Sequence, residues 1–174
     1  LSGCSLVIEF LDAPRLDYYK LRSDRIARHY KGRAHPYGAR EPEKVRMHWS
    51  REWEYPWAFT RATETLKLRQ RVLDVGCGGS PLPIYLAYLG HDVVGMDVEK
   101  VWEGEPSLRH YGEHPGVIGL LRHDANDEPW PFADASFDIV QSISVLETDE
   151  VAHVAFFRQA ARILRPGGRL IVTM

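Results

Sequence analysis

The chain has 174 residues, 44% apolar and 26% charged, which suits one folded core and excludes both a disordered chain and two full domains. No apolar run is long enough to cross a bilayer, and a net charge of −2 gives no general reason to bind nucleic acid or a membrane surface. The charge is uneven: residues 1–70 hold 14 Lys and Arg against 9 Asp and Glu, while residues 71–174 hold 8 against 15.

Two cysteines, Cys4 and Cys77, are too few for a disulfide framework or a multi-cysteine metal site, and they fit a reducing, cytoplasmic setting. Leu1-Ser2-Gly3-Cys4 has the form of a bacterial lipoprotein cleavage site, but without the charged and apolar leader that such a signal needs. The histidines show no metal-ligand spacing, so no metal is expected and most of them are read as surface residues.

In the front part, Leu6–Leu11 reads as a short strand or an apolar helical turn, and Leu16–Tyr30 has mixed helical periodicity. Residues 32–42 hold two Gly and two Pro and form a loop. Glu43–Trp53 and Pro56–Leu68 are two helix candidates, with Pro56 expected to start the second. Residues 1–68 are thus expected to form a helical extension, with 69–174 as the main domain. From Arg71 onward, strands and helices alternate. Arg71–Val75 is a strand that ends in a glycine loop, and Pro81–Leu89 is a helix stopped by Gly90. Asp92–Met96, Val117–Arg122 and Phe137–Ser142 are further strands. Asp149–Leu164 is a helix with Val151, Val154, Phe157, Ala161 and Leu164 on its apolar stripe. Arg165-Pro166-Gly167-Gly168 breaks it, and Arg169–Thr173 is a fifth strand. This alternation predicts an α/β fold with a doubly wound, mostly parallel sheet.

The chemistry starts at Asp74-Val75-Gly76-Cys77-Gly78-Gly79-Ser80. Glycines between a strand and a helix let backbone approach a ligand closely. A dinucleotide fingerprint would need Gly or Ala at position 81, where this chain has Pro81. Asp74, two residues before the first glycine, suits a cationic ligand better than a pyrophosphate.

The run VLDVGCGGSPLPIYLAYLGHDVVGMD resembles the glycine loop and second strand of class I S-adenosyl-L-methionine-dependent methyltransferases, which have a Rossmann-like sheet. The resemblance continues through LLRHDAND, FDIVQSISVLE and ARILRPGGRLIVT, and covers residues 71–174. It implies S-adenosyl-L-methionine as cofactor, with Asp74 and the backbone of Gly76, Cys77, Gly78, Gly79 and Ser80 around its methionine and ribose portions. Asp97 would accept hydrogen bonds from the ribose hydroxyls, and Val98 would lie against the adenine. Asp124 and the Ala125 N–H would read the adenine edge. Ser142 and Ile143 would supply carbonyls near the methionine amino group. The helix-cap or turn role is the competing reading for Asp97 and Asp124 taken singly.

Glu147 is the candidate base, with Asp149 beside it more naturally a helix cap. Many relatives carry His after Leu-Glu at this point, where this chain has Thr148. The family sheet has seven strands in the order 3-2-1-4-5-7-6, so the domain is expected to be C-terminally truncated after its fifth. The aromatic cluster Trp49, Trp53, Tyr55 and Trp57 either anchors the extension or closes over the sulfonium, whose charge is attracted to aromatic faces. The implied activity is methyl transfer to a small-molecule acceptor, with nucleic-acid and protein acceptors left open and the oligomeric state unassigned. The alternatives are an NAD-dependent oxidoreductase, a non-catalytic S-adenosylmethionine-binding module and, ranked lower, an aminopropyltransferase.

Overall fold

The computed structural model describes residues 50–64, 69–78, 80, 82–98, 118–148 and 150–174. The expectations for residues 1–49, including Trp49, and those for Gly79, Pro81 and Asp149, lie outside the described residues. The elements are α1 (Arg51–Thr63), β1 (Arg71–Val75), α2 (Leu82–Tyr88), β2 (Asp92–Asp97), β3 (Ile118–Arg122), β4 (Phe137–Ile143), α3 (His153–Ile163) and β5 (Leu164–Thr173). The five strands form one sheet in the order β3-β2-β1-β4-β5, and every pairing is parallel. This is the doubly wound α/β sheet expected from the alternation of elements. Among the described residues, no helix is long and apolar enough to cross a membrane.

Strands buried on both faces need mostly apolar side chains at successive positions, and Val72, Leu73 and Val75 in β1 and Ile139 and Val140 in β4 supply them, with Asp74 the exception. One face carries Val72, Val93, Ile139, Ile143 and Ile171 against Tyr55, Ala58 and Ala62 of α1 and Leu82, Leu86 and Ala87 of α2. The other carries Leu73, Val75, Met96 and Val140 against Trp130 and against Phe156, Ala160 and Ile163 of α3. The order of the strands places β1 at the centre, so the glycine loop leaves the sheet from its middle.

Three local expectations are corrected. Pro56 does not start a helix; it lies inside α1, which runs through it without a break between Trp53 and Trp57. Pro56 forfeits the bond to the carbonyl four residues back, but burial of Tyr55, Ala58 and Ala62 holds the helix to the sheet. Arg169 of β5 donates to the Arg61 and Ala62 carbonyls at 2.5 and 3.1 Å, which satisfies the end of α1.

The stripe on α3 is also different. The helix starts at His153, and its buried residues are Phe156, Gln159, Ala160 and Ile163, whereas Val154 is 79% exposed and Phe157 44%. Gln159 interrupts the apolar pattern of the true face because its carbonyl accepts from Trp130 N at 3.1 Å and from Arg162 Nε at 3.0 Å. Finally, β5 begins at Leu164 and not at Arg169. Phe137 pairs with Leu164, the register then shifts, and Ile139 pairs with Arg169, so Arg165–Gly168 is an excursion within the strand. Gly167, at φ 77°, makes that turn.

The corrected stripe can be tested by a pair of truncations. Phe156→Ala removes a fully buried ring that meets Trp130 edge to face at 5.5 Å, and should cost about 3–5 kcal/mol in urea unfolding. Val154→Ala should stay within about 0.5 kcal/mol of the parent.

Candidate functional site at the carboxyl edge of the sheet

The strands end together at one edge, and most of the residues singled out from the sequence come together there. At the end of β1, Asp74 is 1% exposed. In the parallel register it stands beside Gly95 of β2 and Gln141 of β4. Among the described residues, Asp74 Oδ2 is buried without a hydrogen-bond partner. Burial pushes the Asp74 carboxyl up to about 7; the Gln141 amide pulls it down and the negative charge of Asp97 adds to the rise. A buried carboxyl with an unfilled oxygen at a strand end is an acceptor turned toward a cationic or donor group.

The glycine loop is fastened to the neighbouring strand. Gly76 N and Cys77 N both donate to Met96 O, at 2.8 and 3.2 Å, and Gly78 N donates to Asp97 Oδ2 at 2.8 Å. Asp97 therefore holds the loop. Gly76 has φ 67°, and a Cβ on it would lie 2.6 Å from Val145 Cγ2, so only glycine fits under Val145. Gly78 has φ 44°, and among the described residues nothing lies within 4 Å of its missing Cβ. Cys77 is buried, and its Sγ fills the space left by Gly95. Ser80 is buried too, and its Oγ accepts from Leu82 N at 3.2 Å.

Val98, at the end of β2, is 50% exposed, an apolar side chain turned to solvent. Asp124 Oδ1 accepts from Asn126 N at 2.8 Å, the turn role that competed with base recognition. Ala125 O accepts from the Trp130 indole at 2.9 Å, and Trp130 is buried. Asn126 in turn donates to Glu150 O at 2.7 Å and accepts from Ala152 N at 2.8 Å, so the turn after β3 is bound to the segment that leads into α3. Ser142 is fully buried, and its Oγ donates to Val75 O at 3.0 Å across the strands. Ile143 is buried at the end of β4. Glu147 is exposed, in a turn where Thr148 N donates to Val145 O at 3.2 Å.

Four groups were missed from the sequence. Gln141 had a signal: it is the polar residue in an otherwise apolar run, Ile139-Val140-Gln141. Glu54 had one as well, because it shares a helix face with Ala58 and Ala62. It is 2% exposed, accepts from Ser144 Oγ at 2.5 Å and pairs with Arg51 at 2.7 Å. Burial would raise its pKa, but hydrogen bonds from Ser144 and Thr173 and the charge of Arg51 bring it below the ordinary carboxylate value. Ser144 and Asn126 had no signal, since their partners are distant in the chain. Of the aromatic cluster, Tyr55 is buried, Trp53 is half-buried, and Trp57 packs against the core on the α1 face. Among the histidines His91 is buried, and its Nδ1 accepts from Gln70 N at 3.1 Å.

The family model described as "Methyltransferase domain" matches residues 73–172. The chain therefore belongs to that methyltransferase-domain family. It is 32% identical over 104 residues to a ubiquinone biosynthesis O-methyltransferase of Maricaulis maris, a match that covers 58% of this chain and 39% of the relative. It is 35% identical over 122 residues to the 27-O-demethylrifamycin SV methyltransferase of Amycolatopsis mediterranei, covering 65% of this chain and 43% of that protein. The chain thus spans about two-fifths of the length of these curated relatives. Its fold is similar to that of a SAM-dependent methyltransferase from Aquifex aeolicus, with a TM-score of 0.52 at 19% identity over 65% of this chain and 62% of that one.

The carboxyl of Asp74 links folding to pH. Its folded pKa lies above the unfolded value, so the folded state binds the extra proton between about 3.8 and about 7. Stability contributed by Asp74 is complete below that window and falls as pH rises through it. Asp74→Asn should therefore be more resistant to urea than the parent at pH 8, and the advantage should shrink toward pH 4. Equal unfolding midpoints at both pH values would show that Asp74 ionises freely.

Proposed function

We propose that this chain is the cofactor-binding part of an S-adenosyl-L-methionine-dependent methyltransferase that acts on an oxygen of a small molecule. The observation that carries the cofactor is Asp74, a buried acid with an unpartnered oxygen directly below the glycine loop. A cationic ligand stabilises that carboxylate, whereas the pyrophosphate of NAD would add like charge beside Asp74 and Asp97. The named activities of the two curated relatives support an oxygen on a small molecule as acceptor. The division into an extension over 1–68 and a cofactor domain over 69–174 belongs to the same proposal, as does a cytoplasmic setting.

When bound, S-adenosyl-L-methionine supplies an activated methyl on its sulfonium. The chain's own part is to bind and orient. Asp74 would answer the positive charge, and the backbone of Gly76, Cys77 and Gly78, with Ser80, would line the methionine and ribose side. Asp97 would accept from the ribose hydroxyls while it keeps Gly78 N, a double duty that a two-oxygen carboxylate can perform. Val98 would offer an apolar surface to the base, and Asp124 with Ala125 N–H would read its edge. The carbonyls of Ser142 and Ile143 would receive the amino group. Holding the reactants in line can supply up to about 7–11 kcal/mol of the barrier. Glu147, exposed after β4, is the candidate to take the proton of an acceptor hydroxyl.

Calorimetric titration with S-adenosylhomocysteine and with NAD tests this. S-adenosylhomocysteine should bind and NAD should not, and the reverse order of affinity would overturn the assignment. Asp97→Ala should weaken S-adenosylhomocysteine about tenfold or more, the loss of a hydrogen bond to a charged group.

A further inference from the structure

Helix α1 lies outside the segment matched by the family model, yet it brings a buried carboxylate to the carboxyl edge of β4 and β5. Its partner there, Ser144, is held at every polar group. Its hydroxyl donates to Glu54 Oε1 at 2.5 Å, and its carbonyl faces Arg51 NH2 at 3.4 Å. Its N–H is directed at Thr173, 3.2 Å from the carbonyl oxygen and 3.0 Å from Oγ1. Ser144 also has φ 50°, a left-handed conformation that a serine keeps only where its surroundings enforce it.

The next residue, Val145, sits on the first glycine of the loop. A Cβ at Gly76 would meet Val145 Cγ2 at 2.6 Å and Cγ1 at 2.8 Å, so the two segments are in direct contact. One continuous chain of contacts therefore runs from Arg51 and Glu54 through Ser144 and Val145 to Gly76. Hydrogen bonds from Ser144 and Thr173, with the charge of Arg51, outweigh burial and favour the charged form of Glu54, and a charged acceptor makes the stronger hydrogen bond to Ser144.

We propose that Glu54 is a positioning residue for the cofactor site: by holding Ser144 it sets the seat of Val145 on Gly76, and so the placement of the backbone that receives the methionine end of the ligand. The proposal rests on the cofactor reading given above. A purely structural Glu54 would anchor α1 to the sheet and leave Gly76 unaffected.

Two measurements on the 174-residue chain separate these roles. The first needs no ligand: amide exchange at Ser144 and Gly76, read by NMR in Glu54→Ala, Ser144→Ala and the parent, with Val72 as reference. Both variants should speed exchange at Ser144 and also at Gly76, and leave Val72 unchanged. Faster exchange at Ser144 alone, or no change at either, overturns the proposal. The second is calorimetry with S-adenosylhomocysteine at a temperature where each variant is shown to be folded. Glu54→Ala and Ser144→Ala should each lose about tenfold in affinity, and the double variant no more than either single one, because they break the same link. Glu54→Gln keeps an acceptor for the Ser144 hydroxyl and should stay within about threefold of the parent. Unchanged affinity in folded variants, or losses that add, also overturns it. If the parent itself fails to bind S-adenosylhomocysteine, the cofactor reading falls, and the exchange pattern still decides whether Glu54 controls Gly76.

Discussion

Burial of the Asp74 carboxyl at the end of the central strand imposes a condition on everything around it. In a sheet packed on both faces, a carboxylate must be neutral, paired or offered to a ligand. The neighbours in register are Gly95, which has no side chain, and Gln141, whose neutral amide only partly offsets the burial of the acid. Neither neutralises the acid. The next negative group, Asp97, raises its pKa further. The edge is therefore built to receive positive charge, and this separates a sulfonium ligand from a pyrophosphate on electrostatic grounds, independently of the glycine pattern.

The same edge is fastened from both faces of the sheet. On the α1 face, Glu54 and Arg51 grip the segment after β4. On the α3 face, Trp130 holds the turn after β3 through Ala125 O, and Asn126 joins that turn to residues 150–152. His153 closes the arrangement, with its Nε2 2.6 Å from Leu146 O. At the other end of the sheet, Asp138 bridges Arg71 N and Arg165, both at 2.8 Å, and Gln70 N donates to the buried His91.

Much of this was legible in the sequence because periodicity and glycine placement are local. The parallel sheet followed from the alternation of elements and the strand order from the family resemblance, while the glycine loop with Asp74 stood out by its place between a strand and a helix. Local pattern failed where a polar residue stood on a buried face. Gln159 made the wrong stripe of α3 look more apolar, because its carbonyl serves Trp130 N, which lies 29 residues away in the chain and outside the helix. Pro56 failed for the opposite reason: its helix-starting preference is a local tendency, and packing of Tyr55, Ala58 and Ala62 on the sheet outweighed it. Glu54 could have been found by its face but not by its purpose, since Ser144 is 90 residues away in the chain.

The misses at Gln159 and Glu54 share a physical form. Each concerns a polar group placed inside the protein where an apolar one would give more stability, as buried ion pairs commonly do not exceed a hydrophobic replacement. An apolar residue at Glu54 could pack against α1's neighbours, but it could not define the rotation of Ser144 about a left-handed backbone. A directional hydrogen bond can, because it fixes both distance and angle. The segment after β4 has to be held at a height where Val145 meets a residue with no side chain, and non-directional packing alone leaves that height adjustable. The polar contacts at this edge therefore contribute precision to the loop around Gly76, and the apolar clusters on the two faces of the sheet contribute the stability that lets the edge be polar at all.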